Sequence, residues 1–190
     1  MALNLADIEA LFVHHSHYSG KPVTQLAHTL QTALLAEEAG ADDERVPAAL
    51  PHDLGHPVAG TVDSPTLHGE DGLHQFRAVP FLWGVMPDRV PAAIQRHMAA
   101  KRFLCATRPG YLHALSSDAH RSFALQGGGG VSSVEADGFM VLPWAPEAVA
   151  RRLWDDQAKQ ARRAMPPLVP CMTAAQRRSS RARRTAQPTR

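Results

Sequence analysis

The 190-residue sequence predicts an all-α fold: one helical domain over residues 1–159, followed by a basic tail, expected to be disordered, over 160–190. Three observations carry this. Apolar residues recur at helical spacing, no alternating strand pattern exceeds four residues, and acidic residues stop at Asp156. A first helix is expected over Ala6–His15, with Ile8, Leu11 and Phe12 on one stripe, and His17–Pro22 reads as a loop. A second starts at Thr24, a good N-cap, runs through Leu26, Leu30, Ala33 and Leu34, and stops at Gly40. Asp42 or Asp43 can cap a third through Val46, Ala49, Leu50 and Asp53. Pro47 suits its first turn, whereas Pro51 inside it costs roughly 3 kcal/mol.

Further along, Val58–Leu67 is a predicted loop and His68–Phe76 opens another helical stretch. Pro91–Ala106 reads as one strong helix with Ile94, His97, Lys101 and Leu104 on a stripe. A short segment at Pro109–Ser116 precedes helices at Asp118–Leu125, Glu135–Val141 and Pro146–Lys159. Glycines 127–130 close the first of these three.

The formal charge of +2 is unevenly spread: residues 157–190 hold nine basic residues and no acidic one, which leaves 1–156 at −7. Only that tail could touch nucleic acid, and a solvated tail is the simpler expectation, so no nucleic-acid partner is predicted. Two cysteines make no disulfide framework, and no apolar run is long enough for a membrane span. With no basic region ahead of an apolar run at the start, a cytoplasmic protein is expected.

Eleven histidines are many for this length. The adjacent pair His52-Asp53, with His56 after it, offers an imidazole and a carboxylate whose two oxygens can bridge two cations. An isolated pair of this kind is commonplace; its weight comes from His28 and His97 on predicted helices, His68 at a helix start and Asp155 on the last helix. His74 competes with His68, and Asp156 with Asp155. Four imidazoles, two carboxylates and no thiolate suit iron, manganese or another first-row divalent ion better than structural zinc. Such a set on separate helices is what a two-metal site in a bundle requires.

The stretches TQLAHTLQTALLAEEAGADD (24–43), PHDLGH (51–56), HGEDG (68–72), RHMAAKRFLCATRPGYL (96–112), FALQGG (123–128) and RRLWDDQAK (151–159) resemble the HD-domain mixed-valence diiron oxygenases. That group contains the phosphonate-cleaving oxygenases and, more distantly, myo-inositol oxygenase. The resemblance implies a single HD-domain helical bundle holding two iron ions, Fe(II)/Fe(III) when active, with O2 as cosubstrate. It implies His28, His52, Asp53 and Asp155 around one iron, and His68 and His97 around the second, with Asp53 bridging. Asp155 is preferred to Asp156 because in those relatives the ligand stands four residues before the lysine, here Lys159. His56, Lys101, Ser122 and Gln126 correspond to groups that bind a small anionic substrate, and Tyr18 to a tyrosine ahead of the first ligand.

Departures from the pattern are instructive. Lys21 replaces a glutamate that would face a substrate ammonium, which points to an anion without an amine. Pro51 precedes the metal pair, and Gly69 stands where a glutamate usually follows the second iron's first ligand. The leading expectation is oxidative C–P cleavage of a small organophosphonate or related anion. A metal-dependent phosphohydrolase and a degenerate, non-catalytic relative are the alternatives.

Overall fold

The computed structural model describes residues 23–41, 51–55, 65–83, 86–128 and 131–164, together with Asp7, Ala10, Leu11, Val46, Ala49 and Arg177. These residues form helices and turns, with no strand among them beyond an isolated bridge between Trp83 and Met86. The all-α prediction holds. Helix α1 spans Gln25–Glu38 and is capped by Thr24, whose hydroxyl accepts the N–H of Ala27. Short helices α2 (His74–Arg77) and α3 (Val79–Leu82) lead to α4 (Arg89–Gln95) and α5 (His97–Thr107). After the turn of α6 (Tyr111–Ala114) come α7 (Ser117–Leu125), α8 (Ser133–Met140) and α9 (Ala145–Gln157).

Helix α9 packs along both α1 and α5 and so forms the spine of the domain. One core cluster gathers Leu30, Ala33, Val46, Leu54, Leu82, Val90 and Ile94, and smaller ones seat α8 and α6 against α5. Burial of such side chains stabilises by roughly 1.5–3 kcal/mol each. α8 adds a capping box, in which Ser132 and Glu135 satisfy one another's backbone N–H groups.

Three elements differ from the sequence prediction, each at histidines. The expected helix through Asp53 gives way to a turn at Pro51, whose carbonyl accepts the N–H of Leu54 at 3.0 Å. Pro51 is therefore buried at a helix end, where its missing N–H costs little. The single helix predicted over Pro91–Ala106 is broken at Arg96 (φ −90°, ψ 0°), so His97 opens a new helix. The predicted stretch from His68 is also divided: Pro65–His68 is a 3-10 turn, and helix resumes only at His74. Among the described residues no helix is long and apolar enough to cross a membrane.

The chain past α9 stays attached. The amide of Gln31 donates to the carbonyl of Gln160 at 2.8 Å and accepts its N–H at 3.1 Å, and Arg163 pairs with Glu38. Apart from Arg177, the rest of the predicted tail lies outside the described residues.

Candidate metal centre

Three segments converge on one point. α1 supplies His28, the turn after Pro51 supplies His52 and Asp53, and α9 supplies Asp155; one ligand atom from each lies within 4.8 Å of the others. His28 Nε2 stands 2.9 Å from Asp155 Oδ1 and 3.3 Å from Asp53 Oδ2, while His52 Nε2 stands 3.6 Å from Asp53 Oδ1. The other ring nitrogens are anchored. His28 Nδ1 donates to the carbonyl of Ala158 at 2.8 Å, and His52 Nδ1 to that of Ala49 at 2.6 Å. Anchoring Nδ1 in this way fixes the ring and turns Nε2 inward, as metal-ligating histidines require. Gln25 Nε2 donates to Asp53 Oδ2 at 2.8 Å and fixes that carboxylate.

The donor set fits a divalent ion. His52 Nε2 is buried with no hydrogen-bond partner, a costly state unless a cation meets it. His28 is raised to about 10: burial opposes its charge, but hydrogen bonds to Asp155 and Asp53, with their charges, prevail. The Nε2 proton this implies lies between ring and carboxylates, where a metal ion would compete with it. Asp155 is held well below the usual carboxylate range; burial would raise it, and Arg152, Lys159 and the two histidines overcome that.

A second pair faces this cluster across the same cavity. His74 Nε2 and His97 Nε2 approach to 2.8 Å, and His97 Nδ1 donates to the carbonyl of Ile94 at 2.8 Å. Burial, then the charges of Arg151 and Arg152, lower His97 to about 3, so its Nε2 carries a lone pair at physiological pH. The pair is then joined by a proton from His74, which a metal ion would replace. Backbone geometry brings His74 here. Leu73, just before it, is left-handed (φ 45°), an uncommon conformation for a bulky residue and of a kind that clusters at functional sites. Gly55 permits the approach, because a Cβ there would meet the His74 carbonyl oxygen at 1.9 Å.

The cavity, about 540 Å³, is lined by His28, Asp53, Asp155, His74 and His97, and by the cations Lys101, Arg121, Arg152 and Lys159. Lys101 is almost fully buried and donates to Ser122 Oγ at 3.1 Å. Burial, then the Arg152 charge, lower it to about 7 against the pull of Asp155 and Asp156. Basic side chains beside the candidate metal ligands suit a small anion.

No family model matches the chain. Curated proteins do. It is 35% identical over 144 residues to the [1-hydroxy-2-(trimethylamino)ethyl]phosphonate dioxygenase (glycine-betaine-forming) of Leisingera caerulea, covering 76% of this chain and 73% of that protein. It is 36% identical over 147 residues to the hydroxymethylphosphonate dioxygenase of Gimesia maris, covering 77% and 73%. The chain belongs to the HD-domain oxygenases.

Within this HD-domain oxygenase, the structure brings together His28, His52, Asp53, Asp155 and His97 from the set read in the sequence. Lys101 and Ser122 also line the cavity. His68 is not brought in: it is exposed at the end of the 3-10 turn, and His74 stands at the position opposite His97. The residue after His74 is buried Gln75, whereas Gly69 follows the exposed His68. Gln126 does not line the cavity; its amide donates at 2.9 Å to Asp71, which does. Tyr18, Lys21 and His56 lie outside the described residues. Arg152 was missed by the sequence reading. Its signal was available, since it lies one helical turn before Asp155 and therefore on the same face.

Proposed function

We propose that the protein is a diiron dioxygenase that cleaves the C–P bond of a small organophosphonate oxidatively. His28, His52, Asp53 and Asp155 would hold one iron, His74 and His97 the second, and Asp53 would bridge them. Bound iron would supply the redox chemistry that activates O2. The observation that carries this reading is the sharing of one cavity by His28, Asp53 and Asp155 of the cluster, the His74–His97 pair and buried Lys101.

The chain's own groups have definite tasks. Lys101, Ser122 and Arg152 take the phosphonate oxygens. The anchored Nδ1 protons of His28, His52 and His97 keep each Nε2 available to metal. Lys21 favours a substrate with no cationic group, which makes hydroxymethylphosphonate the first choice. Its cleavage consumes one O2 and yields one formate and one phosphate, so atoms balance without a further reductant.

The test is to load the purified protein with iron anaerobically, record EPR, and follow oxygen uptake and phosphate release with hydroxymethylphosphonate. A mixed-valence signal and one phosphate per O2 are expected. Release of phosphate from a phosphate ester without oxygen would instead make it a hydrolase, a reading to which the named relatives lend no support. No metal uptake would make it a degenerate relative.

A further inference from the structure

Asp155 uses its two oxygens differently. Oδ1 faces His28 in the ligand cluster, whereas Oδ2 lies 2.7 Å from Arg152 Nη1. The arginine is held on its far side as well. Its Nη2 donates to Asp156 Oδ1, and its Nε lies 3.2 Å from both Asp156 Oδ2 and the Tyr111 hydroxyl. Tyr111 donates its own proton to Asp156 Oδ2. On α9, Arg152 precedes Asp155 by three residues and Asp156 by four, so its guanidinium sits between two carboxylates that leave the helix in different directions. The fork between Arg152 and Asp156 is bidentate, the geometry that fixes a guanidinium most firmly.

Tyr111 reaches this point from another element. It opens α6, after a left-handed turn at Gly110 (φ 77°), and its ring packs with Leu104 and Leu115. Arg152 and Tyr111 are 6% and 7% exposed, so each polar atom here must find its partner inside the protein. Asp156 is thus occupied by the clamp, which explains physically why the neighbouring Asp155 faces the ligand cluster.

We propose that Tyr111 and Asp156 are positioning residues of the metal centre: through Arg152 they lock Asp155 Oδ2, so that Asp155 offers the ion a single oxygen. They also fix the guanidinium that lines the substrate cavity. Without them Arg152 loses three of its acceptor contacts, and Asp155 Oδ2 becomes free to chelate. The inference rests on the reading of this site as a metal centre.

The experiment compares the 190-residue wild type with Tyr111→Phe, Asp156→Asn and Asp156→Glu. Anaerobic Fe(II) titration against a competing chelator, EPR of the iron-loaded protein, thermal unfolding, and KM and kcat for hydroxymethylphosphonate are measured. For Tyr111→Phe and Asp156→Asn the expected result is folded protein, iron affinity reduced about tenfold or more, a changed EPR signal, and KM raised more than kcat is lowered. Asp156→Glu, which keeps the charge of the fork, returns affinity and signal toward wild type. Unchanged affinity and signal in both disrupting variants would overturn the proposal. So would loss of folding in both, with and without iron, because the network would then be merely structural. Wild type that binds iron but leaves the phosphonate intact sinks the dioxygenase reading instead, and the titration and spectra then decide the proposal in the same two ways.

Discussion

In the four-residue cluster, two carboxylates overcome burial and hold His28 near 10, whereas across the cavity burial and two arginines push His97 to about 3. The rings are alike in burial and in their anchored Nδ1 atoms; the charges behind them are opposite. The carboxylate-rich half therefore favours a cation strongly and draws it by charge. The imidazole half would offer an ion two nitrogen lone pairs and, besides them, only the bridging Asp53, inside the positive field of Arg151 and Arg152. In the proposed diiron site the two ions would therefore sit in unlike electrostatic surroundings.

Asp53 is the residue through which this contrast can be broken most completely. Asp53→Asn keeps the shape and the contact with Gln25 but removes one of the two charges beside His28. Turnover should fall by more than about a hundredfold, beyond the range seen for outer partners of metal ligands, and iron content should drop below two per chain. Wild-type iron content and turnover would refute a bridging role. His74→Ala removes the other half. It should leave about one iron per chain and no detectable oxygen uptake, while His68→Ala should change neither. The reverse result would restore His68 as the ligand.

That comparison of histidines also marks how far the sequence was legible. His28, His52 and Asp53 were readable because each sits in a segment with a clear local pattern; Asp155 was separated from Asp156 only through the family resemblance, and the structure gathers all four. The choice between His68 and His74 was not readable from helical spacing, which extends one helix over both. Two backbone features place His74, not His68, against His97: the left-handed Leu73 and the approach of Gly55 to the His74 carbonyl. Neither is local to the histidines' own pattern. The break at Arg96 was hidden for a similar reason: the apolar stripe continues through it, while the Ile94 carbonyl is diverted to the His97 ring. The fold class itself was legible, because period and caps are written residue by residue.

A smaller effect separates the anion wall from both metal halves. Lys101 is lowered to about 7 by burial and by Arg152, so it is largely charged below pH 7 and loses its proton above. Anion binding favours the ammonium form; KM for the phosphonate should therefore rise as pH climbs past 7. Comparison with Lys101→Arg, which stays charged, cancels the ionisation of the substrate itself, and the arginine variant should show the flatter profile. Lys101→Met should raise KM roughly ten- to hundredfold, the worth of one charge-assisted hydrogen bond of about 1.5–3 kcal/mol. A profile identical in wild type and Lys101→Arg would exclude Lys101 as the titrating group.

The mildest test concerns how each half is oriented. His52 and His97 anchor Nδ1 on carbonyls three residues back, at Ala49 and Ile94, whereas His28 depends on Ala158, 130 residues away. The carboxylate-rich half therefore relies on the path of the chain after α9, and Gln31 holds that path by bonding both main-chain groups of Gln160. Gln31 is buried, one helical turn from His28 on the same helix. Gln31→Leu keeps the volume and removes both bonds, which should cost about 1–3 kcal/mol and lower Tm by roughly 2–10 °C. Since the loss falls on the support of His28, iron affinity of the carboxylate half should weaken while the His74–His97 half is spared. Sequential iron titration followed by EPR reads the two separately. Equal weakening of both halves would mean that Gln31 stabilises the whole bundle rather than orienting His28.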